Sequence, residues 1–489
     1  MWTRRAFSAG LLSAAARAAQ KRPNILLIVS EDNGPHFGCY GDKTVPTPHV
    51  DRLAAEGTRF DNAYVTQAVC SPSRSSILTG LYPHQNGQIG LATHAYTMVR
   101  DWPALPNLLK RAGYRTGLLG KLHVNPESAF AFDFKWRDPE SISFAKRDVA
   151  RTADVAREFI EAGDGPFFLM VCYADAHLPF LAQQAGLPER PLTASDVRTF
   201  PAVGCDSPRL RERVANYYNC ISRLDTGIGM LLDRLHATGR ADDTLIAYVG
   251  DHGAQFSRGK ITSYEFALRV PLIFHWPGEV RAGRTSRGLV STIDLMPALL
   301  EAAGAEIPEL PGRSLLPLAK GGGRWRDHVV CEWNTSQPKP GAFFPQRTIR
   351  DARYKLILNL QPGQRNPTER YYTEQILVQT GSNQQEIDAA PEAVRRGYAT
   401  WRNPPRLELY DLQTDPYEWT NLADRGEHAA VRERLLARLI RWQRETADPL
   451  SDPEKLARLA AEETEAGRHP QGARRPGFAW RYPEYLYAR

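Results

Sequence analysis

The sequence predicts an α/β fold, with a large, mostly parallel sheet flanked by helices and a smaller C-terminal α+β unit. Three observations predict it. Continuous apolar runs of strand length alternate with amphipathic segments of helical period, as in a sheet covered on both faces. Two of those runs, far apart in the chain, stop at acidic or histidine-containing pairs, and parallel sheets carry their sites at the carboxyl ends of strands. Past the Gly-Gly-Gly triplet at 321–323 the pattern changes to short strands and one further helix.

The composition is that of a folded protein. At 489 residues, 42% hydrophobic and 24% charged, the chain is long enough for two or three globular units. Disordered, collagen-like and coiled-coil chains are excluded by these proportions. Six cysteines cannot frame a disulfide-built scaffold.

Residues 1–20 are set apart from the fold. Arg4-Arg5 and Phe7 precede a short run of small and apolar residues that closes on Ala16-Arg17-Ala18, the pattern of an export signal of the twin-arginine type. The protein is therefore expected in the periplasm or secreted. Cleavage near Ala18 removes Arg4, Arg5 and Arg17 and takes the formal charge from +7 to +4. Such a mild excess suits an anionic small substrate and argues against nucleic acid as a partner. No apolar run is long enough for stable membrane insertion, and no signature sets an oligomeric state.

The elements follow in order. Asn24–Ser30 reads as a strand buried on both faces and ends in Glu31-Asp32. Residues 48–56 read as a helix with Thr47 as N-cap, Pro48 at its first position and Gly57 beyond its end. Residues 104–112 repeat that grammar with Gly113 as the stop, and residues 148–162 form an amphipathic helix leading to a strand at 168–173. From about 210 to 236, Tyr217, Ile221, Leu224, Ile228, Leu231 and Leu235 keep a 4-3-4-3-4 spacing, one face of a long helix. A strand at 244–249 follows and ends in Gly250-Asp251-His252-Gly253. Beyond the glycines, 348–350 and 354–358 read as strands turned at 351–353, residues 361–390 as a polar excursion without periodicity, 407–412 as a strand and 427–445 as an amphipathic helix.

Glu31-Asp32 and Asp251-His252 are the chemically informative strand ends. Four donors on two rigid strands could hold one divalent cation, and oxygen donors favour a hard ion. Acidic pairs after strands also serve as helix caps, and spacing does not separate the two readings.

The segment Cys70-Ser71-Pro72-Ser73-Arg74, continued by Leu78-Thr79-Gly80, resembles the C-x-P-S-R signature of the type I sulfatases of the alkaline phosphatase superfamily. The resemblance extends through Glu31-Asp32, Thr47-Pro48-His49-Val50-Asp51, Gly120-Lys121-Leu122-His123, His177 in a D-A-H-L-P-F stretch, Gly250-Asp251-His252-Gly253, Lys260, and residues 408–412 to 421–422. It spans residues 21–425 and implies an alkaline phosphatase-like catalytic domain over 21–323, with a smaller α+β domain over 324–489. It further implies that a formylglycine-generating maturation enzyme converts Cys70 to formylglycine, whose hydrated aldehyde is the nucleophile.

Glu31, Asp32, Cys70, Asp251 and His252 would then surround a cation, calcium in the first instance. Manganese and magnesium stay open, because His252 stands where many sulfatases have Asn and nitrogen is an unusual calcium ligand. Glu31 stands where Asp is usual. Arg74, Lys121, His123, His177 and Lys260 would complete the catalytic set. A divalent cation and Arg74 at a helix start favour a deprotonated diol hydroxyl, and Lys121, His177 and Lys260 form a cationic cradle for sulfuryl oxygens. His123 takes a proton from the second hydroxyl, and His177 or Lys260 protonates the leaving group.

The flanks narrow the resemblance. His84-Gln85-Asn86-Gly87, Val124 with Pro126-Glu127, and Phe132-Asp133-Phe134 resemble the N-sulfoglucosamine sulfohydrolase subgroup, which implies a sulfated saccharide substrate and removal of the N-sulfo group of glucosamine in heparin or heparan fragments. A carbohydrate O-sulfatase, or a phosphonate or phosphodiester hydrolase on the same site, is the alternative. Trp102, Trp136 and Trp333 are the tryptophans expected at a glycan cleft.

Overall fold

The computed structural model describes residues 22–137 and 146–487; the expected export signal lies outside the described residues. The larger sheet contains β1 (Asn24–Ser30), β2 (Thr58–Tyr64), β3 (Arg115–Leu119), β4 (Phe134–Trp136), β5 (Phe167–Tyr173), β6 (Thr244–Gly250), β7 (Arg269–Val270), β8 (Leu272–His275) and β9 (Arg284–Ser291). Their order is β4-β3-β5-β1-β6-β8-β2-β7, with β9 on β2. From β4 to β6 the strands are parallel; β8 runs antiparallel to both β6 and β2.

The centre of this sheet is buried on both faces, as its uninterrupted apolar runs require. Leu26 and Ile28 of β1 join Leu169 and Val171 of β5 and Ile246 of β6 in one cluster. Ile25, Leu27 and Val29 join Phe168, Met170, Leu245 and Val249 in the other. Alternate side chains thus feed two separate cores, the period-2 consequence of strand geometry. The first core is roofed by the helix Pro208–Ala237. Ser207 caps that helix by accepting from the Leu210 amide at 3.2 Å. All six of its stripe residues, Tyr217, Ile221, Leu224, Ile228, Leu231 and Leu235, are fully buried. At about 1.5–3 kcal/mol for each large apolar side chain, that stripe is a principal fastening of the helix.

The second sheet is antiparallel, in the order β10 (Val329–Trp333), β11 (Gln346–Arg350), β12 (Tyr354–Asn359), β13 (Leu407–Asp411). Leu435, Leu439 and Trp442 of the helix Ala429–Glu445 pack with Ile349, Leu356 and Leu409 of these strands. Two expectations need correction. The stretch 361–390 is not without structure, since it contains the helices Pro367–Glu374 and Gln384–Asp388, started by side-chain caps from Asn366 and Asn383. Each is too short to show a helical period. Thr47 precedes its helix as expected but makes no cap bond; its hydroxyl accepts from the Gly38 amide and donates to Asp51. Among the described residues no helix is long and apolar enough to cross a membrane.

Candidate active site

Parallel pairing of β1 with β6 sets Ser30 opposite Gly250, so the two following pairs, Glu31-Asp32 and Asp251-His252, emerge side by side. All four are wholly buried. The Asp32 amide donates to Asp251 Oδ1 at 3.0 Å. His252 Nε2 lies 3.2 Å from Asp32 Oδ1, 3.7 Å from Asp251 Oδ1 and 3.4 Å from Cys70 Sγ. Cys70 opens the buried helix Cys70–Thr79, whose N-terminus has no side-chain cap and so presents its partial positive charge to the same place. The Ser73 hydroxyl donates to the Asp251 carbonyl and ties this helix to the end of β6.

Arg74 is the hub of the site. Its Nε donates to Asp251 Oδ2 at 3.1 Å, and its Nη1 to the Lys121 carbonyl at 2.8 Å and to Cys172 Sγ at 3.3 Å. Its Nη2 lies 3.3 Å from Glu31 Oε1. Lys121 Nζ donates to Glu31 Oε2 at 2.7 Å, and Lys260 Nζ to both oxygens of Asp32, at 3.0 and 2.7 Å. His177 turns Nδ1 to the Leu178 carbonyl at 2.7 Å. Asp32 and His123 hold left-handed backbone angles, φ 50° and 58°, a strained conformation concentrated where chemistry happens.

The field of this cluster favours negative charge at Cys70. Burial alone would raise the thiol, but Lys121, Lys260 and His252 outweigh it and hold the sulfur well below the ordinary range. Burial likewise opposes charge on His252, yet Asp251, Asp32 and Cys70 lift its imidazole to about 9. His123 is pushed down, by burial first and then by Lys121.

The donor set fits a divalent cation. His252 Nδ1 faces the Gly253 carbonyl at 3.0 Å, which turns Nε2 toward Asp32 and Asp251, where loss of its proton would free a lone pair for a cation. That orientation is the one a metal-binding histidine takes. Asp32, Cys70, Asp251 and His252 each bring one donor atom within 4.8 Å of the others, as do Glu31, Asp32, Cys70 and His177.

A pocket of about 490 Å³ opens onto this floor. Cys70, Lys121, His123, His177 and Lys260 line it, and Arg74 lies buried beneath, so the structure brings together all the residues named for catalysis. Sequence reasoning did not single out Thr93, Asn125, Arg137 or Arg474, which also line the pocket. Glu127, quoted only within a flanking stretch, lines it too. Gln85 and Asn86 do not line it. The Gln85 side chain accepts from the Tyr82 amide, and Asn86 is buried and donates to Ser75 and Thr79. Trp102, Trp136 and Trp333 do not line it either, and Trp333 is only 1% exposed.

This fold and this floor belong to a known class. Residues 23–305 match the sulfatase family profile, and residues 250–366 match that of the C-terminal part of N-sulphoglucosamine sulphohydrolase. An ulvan-active sulfatase from Formosa agariphila is 32% identical over 441 residues, 89% of this chain and 82% of the relative. Human N-sulphoglucosamine sulphohydrolase is 31% identical over 465 residues, 87% of this chain and 91% of the relative. Among solved structures, the phosphonate monoester hydrolase of Agrobacterium radiobacter superposes with a TM-score of 0.65 at 22% identity, over 87% of this chain and 96% of that one. The chain belongs to the sulfatase family, enzymes that hydrolyse sulfuric esters.

Proposed function

We propose that this enzyme removes the N-sulfo group from a terminal glucosamine of heparin- or heparan-type saccharides, with Cys70 matured to formylglycine. The carrying observation is the anion-stabilising floor around Cys70, built from Lys121, Lys260, His123 and His177 at the base of a saccharide-sized pocket. The match of residues 250–366 to the C-terminal N-sulphoglucosamine sulphohydrolase profile, together with the human relative, supports the choice of sugar and leaving group.

Asp32, Asp251 and His252, with Glu31 and position 70, would hold one divalent cation, calcium first, with manganese or magnesium accommodated by the imidazole. Such an ion would lower the pKa of a hydroxyl beside it and draw charge from a sulfuryl oxygen. Arg74 holds Asp251 and the start of the nucleophile helix in place. Lys121 and Lys260 bring positive charge to the sulfuryl oxygens. His123 accepts a proton from the hydroxyl at position 70. Lys260 is committed to both oxygens of Asp32, so we assign the leaving-group proton to His177 in its doubly protonated form. Export through the twin-arginine signal, maturation by a formylglycine-generating enzyme and a domain division near residue 323 belong to the same proposal.

The test is sulfate release from two matched glucosamine monosaccharides, one N-sulfated and one 6-O-sulfated, with the mass of the Cys70 peptide read on the same preparation. Faster release from the N-sulfated sugar, with a formylglycine mass at position 70, is expected. Faster release from the 6-O-sulfated sugar would move the enzyme to the O-sulfatases.

A further inference from the structure

Four cations other than histidine line the pocket, and three are matched by carboxylates. Lys121 pairs with Glu31 at 2.7 Å, Lys260 with Asp32 at 2.7 Å, and Arg137 with Glu127 at 3.3 Å. Arg474 has no carboxylate or hydrogen-bond acceptor for its side chain among the described residues, although it lines the same pocket as Cys70 and His177.

Its backbone is firmly held. Arg474 ends the short helical turn Gly472–Arg474, which packs against the turn Ala92–His94 of the pocket wall. Gly472 sits at φ 55° with the Lys339 side chain 3.2 Å from where a Cβ would stand, so a residue with a side chain would be both strained and crowded there. Ala473 is buried, and just downstream Trp480 stacks on Tyr96 with centroids 4.5 Å apart and donates Nε1 to the His94 carbonyl at 2.9 Å. Tyr482 receives the Thr97 amide at 3.0 Å. This C-terminal segment is thus clamped onto the loop whose Leu91, Ala92 and Thr93 line the pocket. A guanidinium carried at a pocket wall on a held backbone matches the planar, bidentate geometry of sulfate or carboxylate.

We propose that Arg474 is a specificity residue that binds a second anionic substituent of the saccharide while the floor holds the scissile sulfuryl group. This rests on the sulfated-saccharide reading above. The second anion is either a sulfate on the same ring or the carboxylate of an adjoining uronic acid, since the chemistry recognised is the same. Lys121 and Lys260 pair with carboxylates of the floor, at Glu31 and Asp32.

The experiment is calorimetric titration of the full-length enzyme and its Arg474→Ala and Arg474→Lys variants, with inorganic sulfate at one fixed concentration so that the floor is equally occupied throughout. One arm compares glucosamine 6-O-sulfate with glucosamine. The other compares a glucosamine–glucuronic acid disaccharide with its glucose-containing counterpart. Wild type should prefer the anionic ligand in at least one arm by about tenfold, the value of one charge-assisted pair. Arg474→Ala should abolish that preference and Arg474→Lys should keep part of it. A wild type without preference in either arm, or an Arg474→Ala variant that keeps it, would overturn the proposal. Sulfate release by the same preparations tests the underlying reading separately, because the binding preference does not depend on turnover.

Discussion

At the scale of single residues, the site is an exercise in charge balance. Glu31, Asp32 and Asp251 are buried carboxylates, matched by Arg74, Lys121 and Lys260 at hydrogen-bond or ion-pair distance. An added divalent cation makes the floor net positive, which is what an anionic sulfuryl group needs. It also binds only the folded protein, since the strand ends bearing Asp32 and Asp251 come together only when β1 pairs with β6. Chelation should therefore lower the melting temperature. An ion present at 100-fold over its Kd would stabilise by about 2.7 kcal/mol. Asp251→Asn should melt at one temperature with and without chelator, and should release no sulfate. A wild type indifferent to chelator in scanning calorimetry would remove the metal centre from the mechanism.

At the scale of elements, the loop after β5 is fixed from two directions. Asp175 sits between Arg147 and Arg223, both buried, and Arg223 reaches it from the long helix with bonds of 2.8 and 2.6 Å. Arg147 also donates to the carbonyls of His177 at 2.5 Å and Pro179 at 2.9 Å. One carboxylate therefore ties the helix Pro208–Ala237 to the loop that positions His177. Burial opposes the charge on Asp175, but Arg147 and Arg223 prevail and hold it below its ordinary value. A carboxyl depressed in the folded state contributes stability above its unfolded pKa of about 3.8 and loses it as pH falls through the folded one. Asp175→Asn removes the one carboxylate that two buried guanidiniums share. It should cost about 3–5 kcal/mol, seen as a lower urea midpoint. Turnover should fall more than substrate affinity, because the proposed mechanism gives His177 the leaving-group proton. An unchanged midpoint would show that the triad carries no structural weight.

Across the whole molecule, the C-terminal segment is the brace of the pocket. In the helix Pro453–Arg468, Glu463 is buried and accepts from the Tyr96 hydroxyl at 2.6 Å, while its other oxygen has no partner among the described residues. The polar groups about it are Tyr96 and Thr335 from the first and second units and Glu462 on its own helix. Burial dominates and raises the carboxyl to about 8. A raised acid favours the folded state below its unfolded value of about 4.5 and loses that contribution as pH climbs to 8, at about 1.4 kcal/mol per pH unit. Glu463→Gln should flatten this part of the profile and melt higher than wild type at pH 8, with little difference at pH 5. Parallel melting curves for the two proteins across that range would sever Glu463 from the pH dependence.

The strand ends, the long helix and the nucleophile motif were legible in the sequence because each is written locally. An apolar run must be a buried strand, a 4-3 spacing must be one helix face, and Cys70 to Arg74 lie within two turns of one helix. Strands β2 and β9 were less legible, since Asp61, Asn62 and Ser286 interrupt their apolar positions. Which charges meet was not local at all. The pairing of Lys260 with Asp32, the four-way grip on Arg74 and the arrival of Arg474 beside Thr93 depend on how distant segments pack. The sequence by itself determined the central strands, the long helix and the motif at Cys70, because periodicity and motif are properties of neighbours in the chain. Only the tertiary structure decided the partners of each charge and the walls of the pocket, because those contacts are set by the summed packing of two cores and carry no period that a single stretch of chain could display.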